Sequence, residues 1–111
     1  MEIPELERDI FAWFVSRTEN DALRRQCLAA TIIRREFTGC GFFLHLHVPA
    51  ELPVCDFALA PDCPFIQSPE LPSGGAVDLW LSDGHLDFIE IVSLQDNWPN
   101  SLSNYQLCDT L

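Results

Sequence analysis

Apolar residues near the start of the chain recur with the period of an α-helix. Over residues 4–17 they follow one another at steps of four, three and one, which places them on one helical face. They are Leu6, Ile10, Trp13 and Phe14. Pro4 suits the first turn, where N–H groups have no intrahelical partner. Thr18 and Asp21 resemble a capping box, which predicts a second helix over about residues 19–28.

From Thr31 onward the apolar residues alternate with polar ones, as they do in β-strands. Residues 31–48 predict a hairpin, with Gly39 and Gly41 marking the reversal between its strands. Alternate residues of a strand lie on opposite faces. The semi-polar face of the second strand carries Phe43, His45 and His47.

A second hairpin is predicted over residues 76–93. Its turn is the pair Asp83-Gly84, which supplies positive φ at both central positions of a two-residue loop. Strict alternation outward from this turn pairs Val77 with Glu90, and directly opposed residues point to the same face. Val77 lies on the apolar face that is expected to build the core. Glu90 is therefore the one acid on that face.

These elements predict one domain over residues 1–111. Residues 49–75 hold six of the eight prolines, which predicts a long crossing loop with a short edge strand near 65–67. A tail from about residue 100 is expected either to be loose or to dock its few apolar residues. We expect an α+β fold, with one or two N-terminal helices on one face of a four- to five-stranded antiparallel sheet made of hairpins.

Charged residues are distributed unevenly along the chain. The six basic residues are all arginines and lie in the first 35 residues, where six acids balance them. Residues 36–111 carry 11 acids and no lysine or arginine, and the net charge is -11. Phosphate binding needs cations, so we expect neither nucleic acid nor an anionic membrane as a partner. The acidic start lacks the basic head of a secretory signal, and no stretch is apolar enough to span a membrane, so a cytoplasmic location is expected.

The five cysteines do not resemble a disulfide framework. Their number is odd, their spacing is irregular, and no C-x-x-C pair occurs. They predict free thiols or small buried hydrophobic residues.

Glu90 is the most informative residue of the second hairpin. A buried carboxylate needs a partner or a raised pKa, and Arg35 is the expected partner. Two interpretations stay open: a structural salt bridge or cap at the sheet end, or a general acid or base in a cleft. No nucleophile or second carboxylate accompanies Glu90, so no catalytic residue is assigned.

A metal site is a further hypothesis, because His45 and His47 place two imidazoles on one strand face. A third ligand would have to come from elsewhere, with His85, Asp87 or Cys40 as candidates. No zinc motif of the H-E-x-x-H type is present. Apart from this metal hypothesis the chain implies no cofactor.

Trp80 is expected on the polar face of its hairpin, with Asp78 and Asp87. If that face of the sheet is open, it carries an exposed apolar patch, which is typical of a binding site or a dimer interface. The predicted patch comprises Phe43, Trp80, Ile89 and Ile91.

Three short motifs resemble those of a family of small, uncharacterised bacterial proteins. They are Thr38-Gly39-Cys40-Gly41-Phe42-Phe43, Asp83-Gly84-His85-Leu86-Asp87-Phe88-Ile89-Glu90, and Trp98-Pro99. They are similar in order and spacing to the family's T-G-x-G-F-F, D-G-x-[IL]-x-x-[IL]-E and W-P, over about residues 5–99. The resemblance implies an α+β fold and no reaction, and some members resemble immunity proteins that accompany secreted toxins. Residues 49–72 depart from the pattern.

Three functions are compatible with these observations. The first is a non-catalytic interaction protein, such as an acidic immunity-type inhibitor whose carboxylates meet a basic partner. The second is a metal-binding protein or metalloenzyme that uses the histidines. The third is a homodimer paired through the Trp80 face or an unprotected edge strand. The candidate interaction residues are Glu90, Arg35, Trp80, Asp78, Asp87 and Phe43.

Overall fold

Two helices and six strands make up the part of the chain that the computed structural model describes, residues 3–56, 62–95, 97–100 and 102–111. The elements are α1 (Ile3–Arg17), α2 (Asp21–Ala29), β1 (Thr31–Phe37), β2 (Gly41–His47), β3 (Phe65–Ser68), β4 (Leu71–Ser82), β5 (His85–Ser93) and β6 (Gln106–Cys108). The strands form one antiparallel sheet in the order β1-β2-β5-β4-β3-β6. The α+β prediction is confirmed, with one strand more than expected.

α2 begins where a side chain can satisfy a free backbone N–H group. The cap of α2 is Asn20, whose side-chain oxygen accepts a hydrogen bond from the N–H of Leu23 at 3.1 Å. Thr18, the predicted cap, instead accepts from the N–H of Asn20 at 3.0 Å. Neither helix of the described residues is long and apolar enough to cross a membrane.

Both helices pack against the same side of the sheet, here called the inner face. One buried core joins helix residues such as Phe14 and Leu23 to sheet residues such as Leu44. The predicted apolar residues of the first helix are all in this core. On the sheet, the buried inner-face residues include Phe42, Leu44, Val77, Ile89 and Ile91.

A β-bulge next to the hairpin turn shifts the pairing of β4 with β5. Leu81 pairs with Leu86, as strict alternation predicts. The next residue of β4, Trp80, pairs with Phe88, so Asp87 has no counterpart. One unpaired residue in a strand changes the face of every residue beyond it.

The bulge overturns the predicted orientation of Glu90. Ile89 and Ile91 are fully buried on the inner face, and Glu90 lies between them on the opposite, outer face. There it pairs with Asp78 of β4. The prediction that Glu90 faces the core is therefore wrong, as is the prediction that Ile89 and Ile91 belong to an exposed patch.

The segment between the hairpins is more regular than predicted. β4 begins at Leu71, five residues before the predicted start, and pairs with β3 before it reaches β5. A strand near 65–67 is confirmed, but it lies inside the sheet because β6 pairs along its other side. Residues 57–61 of the predicted loop lie outside the described residues.

The C-terminal segment, residues 102–111, packs against the rest of the fold. Besides forming β6, it contacts the first helix: the hydroxyl of Tyr105 donates a hydrogen bond to the carboxylate of Asp9. The guanidinium of Arg17 lies 3.1 Å from the carboxylate of Asp109. The two ends of the described chain are thus held together.

Gln26 ties α2 to the hairpin turn. Its side chain is fully buried, and its amide nitrogen donates to the carbonyl oxygens of Pro53 at 2.8 Å and Gly84 at 3.0 Å. Its amide oxygen accepts from the N–H of Leu86 at 2.8 Å. One side chain therefore satisfies polar backbone groups from two separate segments.

Candidate functional site

Aromatic side chains meet on the outer face, at the centre of the sheet. The ring of Phe88 stacks on Trp80 at 5.6 Å with an angle of 19° between the planes. It meets Phe43 edge to face, at 5.4 Å and 85°. The imidazole of His45 lies 6.1 Å from Phe88. We call Phe43, Phe88 and Trp80 the aromatic row.

Strand register brings these residues together from distant parts of the chain. His45, Phe88 and Trp80 occupy facing positions on β2, β5 and β4. Phe43, Glu90 and Asp78 occupy the next facing positions on the same face. The bulge is necessary for this arrangement, because without it Phe88 and Glu90 would point toward the helices.

The aromatic row is accessible and has acids beside it. Trp80 is 49% exposed, Asp78 is exposed, and Phe43, Phe88 and Glu90 are partly exposed. Phe43 also pairs with Glu36 of β1, which adds a third carboxylate to this face. Both helices pack on the other side of the sheet, which leaves this apolar surface open. Acids lie beside it.

His45 lies between a base and an acid at the β1 end of the face. Its Nε2 is 2.9 Å from the carboxylate of Glu36 and 3.1 Å from the guanidinium of Arg34. Protonated at Nε2, it donates to Glu36; unprotonated there, it accepts from Arg34. Arg34 is itself 3.6 Å from Glu36, so this cation is already paired within the face.

Five of the six candidate interaction residues lie on or beside this face, and Arg35 does not. Glu90, Trp80, Asp78 and Phe43 are together on it, and Asp87 is the exposed bulge residue next to Phe88.

Arg35 does not pair with Glu90. It reaches toward the first helix, where its guanidinium donates two hydrogen bonds to Glu7, at 2.5 and 2.6 Å. Its hydrogen bonding to Glu7 raises the pKa of Arg35 above its ordinary value. The predicted Arg35–Glu90 salt bridge is therefore wrong, because the two side chains belong to opposite faces.

Among the residues with described burial, the buried carboxylate is Glu7, whose side chain is only 4% exposed. The sequence contained a signal for it: Glu7 stands three and seven residues before Ile10 and Phe14, on the apolar face of its helix.

The histidines proposed as metal ligands are not brought together. His45 is engaged with Glu36, and His47 is exposed at the end of its strand. The Nε2 of His85 lies 3.0 Å from the carbonyl oxygen of Leu52, in a separate contact near the hairpin turn. Within the described ranges no three His, Cys, Asp or Glu side chains are arranged to hold a metal ion.

All five cysteines are free thiols, as predicted. Cys27 and Cys55 are buried, and burial raises the pKa of both, that of Cys27 to about 12. Cys40 is exposed in the turn between β1 and β2.

A groove of about 700 Å³ lies at the far end of the sheet, between the β3–β4 turn and the C-terminal segment. Its walls carry amide and hydroxyl groups, such as those of Gln67, Gln106 and Tyr105, and no charged side chain among the residues that the structure describes. Sequence reasoning missed this groove because it forms only when the C-terminal segment docks.

Compared with protein-family models, with curated proteins and with solved structures, the chain matches none of them.

Proposed function

We propose that this protein is a non-catalytic interaction module that binds a basic partner protein through its outer face, as an acidic inhibitor of the immunity type would. The observation that carries this proposal is the aromatic row flanked by Glu90, Asp78 and Glu36 on an accessible sheet face.

The chemistry of the face favours arginine side chains. A guanidinium stacks on an aromatic ring while its N–H groups bond to carboxylates, and the aromatic row supplies rings with acids at neighbouring positions. The stacked pair of Trp80 and Phe88 offers the apolar area, and Glu90 and Asp78 offer the acceptors. Aromatic residues in such surroundings are the usual anchors of protein interfaces.

Charge over the whole molecule supports the same partner. The 11 acids of residues 36–111 have no lysine or arginine among them, so strands β2 to β6 and their loops attract a basic protein from a distance. Long-range attraction of this kind raises the association rate and weakens as salt increases. The aromatic row then accounts for the part of the binding free energy that does not depend on salt.

The test uses a synthetic peptide of alternating arginine and glycine, about ten residues long, as the probe. Amide chemical shifts of the labelled protein are followed during titration. We expect the largest changes at Phe43, Phe88 and Glu90. We expect Trp80→Ala combined with Glu90→Gln to weaken binding roughly tenfold or more.

Glu19→Gln is the matched control for loss of one acid, since Glu19 is exposed between the two helices, away from the outer face. It should leave the affinity almost unchanged. Shift changes scattered over all acidic segments, or equal weakening by the control, would show that the peptide responds only to net charge, and would refute the assignment of the face.

A further inference from the structure

β1 forms one edge of the sheet and exposes large apolar side chains there. Strand order places β2 on one side of β1 and no described strand on the other. Ile33 is 66% exposed and Phe37 is 55% exposed. Between them lie Arg34, Arg35 and Glu36, of which two are basic and one is acidic.

The direction of the β1 backbone determines which residues can pair outward. The N–H of Thr38 donates to the carbonyl oxygen of Gly41 at 2.9 Å, so these residues form a hydrogen-bonded pair. Such pairs alternate along an antiparallel ladder, which turns the backbone of Glu36 and Arg34 toward β2. The backbone N–H and C=O groups of Arg35 and Phe37 therefore point away from the sheet.

We propose that β1 pairs antiparallel with β1 of a second copy of this chain, around a twofold axis at Arg35. In this register Arg34 lies opposite Glu36 of the second copy, and Glu36 lies opposite its Arg34. Ile33 lies opposite Phe37 of the second copy. The Arg34–Glu36 pair of each chain, at 3.6 Å, then extends across one short ladder into a group of four alternating charges, with an apolar contact on either side.

Other registers of the same edge fit less well. An axis at Arg34 or at Glu36 would oppose like charges on the outer face. The backbone N–H and C=O groups that point away from the sheet would also fail to face each other across the two strands. An axis at Phe37 would place Arg34 opposite Cys40, in the turn beyond the strand. With the axis at Arg35 the two Arg35 side chains face each other, but each is already bonded to its own Glu7.

The interface is short, so the dimer is weak. A bulge between Ile32 and Arg34 bends the strand and ends the regular ladder at one side. Interfaces of a few strand residues fall below the area typical of permanent dimers. Association is expected only at high protein concentration, and the two outer faces would then form one continuous surface.

Charge reversal at the two paired positions tests this register. Arg34→Glu gives a chain with two acids at positions 34 and 36, and Glu36→Arg gives a chain with two bases there. Each variant alone opposes like charges, so its dimer dissociation constant should rise roughly tenfold or more. Mixed together, the two variants oppose acids to bases at both positions and should associate at least as tightly as the native chain. Sedimentation velocity up to about 1 mM measures all three.

Matched controls separate this dimer from folding effects and from the proposed function. Arg25→Glu and Glu19→Arg reverse exposed charges away from the edge, and their mixture should behave like the native chain. Circular dichroism verifies that each variant is folded. Trp80→Ala should leave dimerisation unchanged, since it alters only the proposed partner face. A native chain that stays monomeric, a mixture that fails to associate, or a dimer lost in Trp80→Ala would overturn the proposal.

Discussion

Gln26 shows how much one polar side chain can contribute to the stability of a fold when all of its hydrogen-bonding groups have partners. It lies on a short helix, and its three hydrogen bonds hold two backbone segments, at Pro53 and at the Asp83-Gly84 turn. A buried amide is costly unless each of its groups is bonded. Here the bonds also position the turn from which β5 starts.

Replacing Gln26 by leucine should lower the free energy of unfolding by about 2–5 kcal/mol, because the N–H of Leu86 loses its partner in a buried place and the bonds to Pro53 and Gly84 are lost as well. Urea denaturation measures the change. Leu28→Ala, on an exposed side chain of the same helix, should change stability by less than about 0.5 kcal/mol. Similar values for both variants would contradict the role assigned to Gln26.

The buried thiol of Cys27 makes the free energy of unfolding depend on pH in the alkaline range. Burial, helped by the nearby Cys55, raises the pKa of this thiol from 9.0 to about 12. Between these values the unfolded chain has lost the proton and the folded chain retains it. The contribution of Cys27 is therefore complete below about pH 9, and it falls as pH rises, by at most about 1.4 kcal/mol per pH unit.

Urea unfolding of the native chain and of Cys27→Ala between about pH 8 and pH 11 checks this expectation. The variant should be less stable at pH 8 but should lose stability less steeply as pH rises. Parallel slopes would assign the alkaline effect to other groups.

Among the elements, β5 shows where sequence reasoning succeeded and where it failed. The turn of the hairpin and both ends of β5 were predicted, because alternation and Asp83-Gly84 are strong local signals. The bulge was missed, since strict alternation was assumed. Its signal was present: Leu86 and Ile89 are three residues apart, whereas Ile89 and Ile91 are two apart. Apolar residues spaced by three and then two indicate one unpaired residue between the first two.

Other errors arose from contacts between elements. The partner of Arg35 is on a helix. Glu7 lies on the apolar face of that helix, but nothing in the sequence near Arg35 shows that this face packs over β1. The three residues of β6 are too few for a period to be recognised, and among the described strands they pair with β3 alone. The outer-face position of Trp80 was predicted correctly, because it lies on the unbulged strand.

Deleting Asp87 should leave the fold intact, with a change in stability below about 1 kcal/mol. The remaining residues of β5 would then alternate strictly, and Leu86, Ile89 and Ile91 would keep the inner face. Thermal unfolding and amide spectra measure the result.

Deletion of Glu90 is the matched control. It moves a fully buried isoleucine to the outer face in any register, which should cost about 2–5 kcal/mol. If the Asp87 deletion proved as harmful as this one, the bulge would not be a removable insertion in an otherwise regular strand.

At the scale of the whole molecule, charge repulsion opposes folding. With 17 acids and 6 bases, repulsion outweighs the exposed ion pairs, such as Arg17–Asp109, each of which contributes at most about 1 kcal/mol. Added salt screens both the repulsion and the ion pairs. Because the repulsion is the stronger of the two, screening lowers the net electrostatic energy of the folded chain. Salt that would weaken binding to the proposed basic partner should therefore stabilise the folded chain.

We expect the midpoint of thermal unfolding at neutral pH to rise by a few degrees when sodium chloride is raised from about 10 mM to about 300 mM. Near the isoelectric point of about 4.3 the rise should vanish, because the net charge is close to zero. A midpoint that falls with salt at neutral pH would mean that ion pairs, and not repulsion, dominate.

The contacts of Asp9 with Tyr105 and of Arg17 with Asp109 join residues 96 and 92 positions apart. A ribosome makes the first helix about ninety residues before these partners. During that interval α1 lacks both contacts, and it gains them only when β6 and the residues around it have emerged and docked. The first helix therefore remains accessible to chaperones until that point.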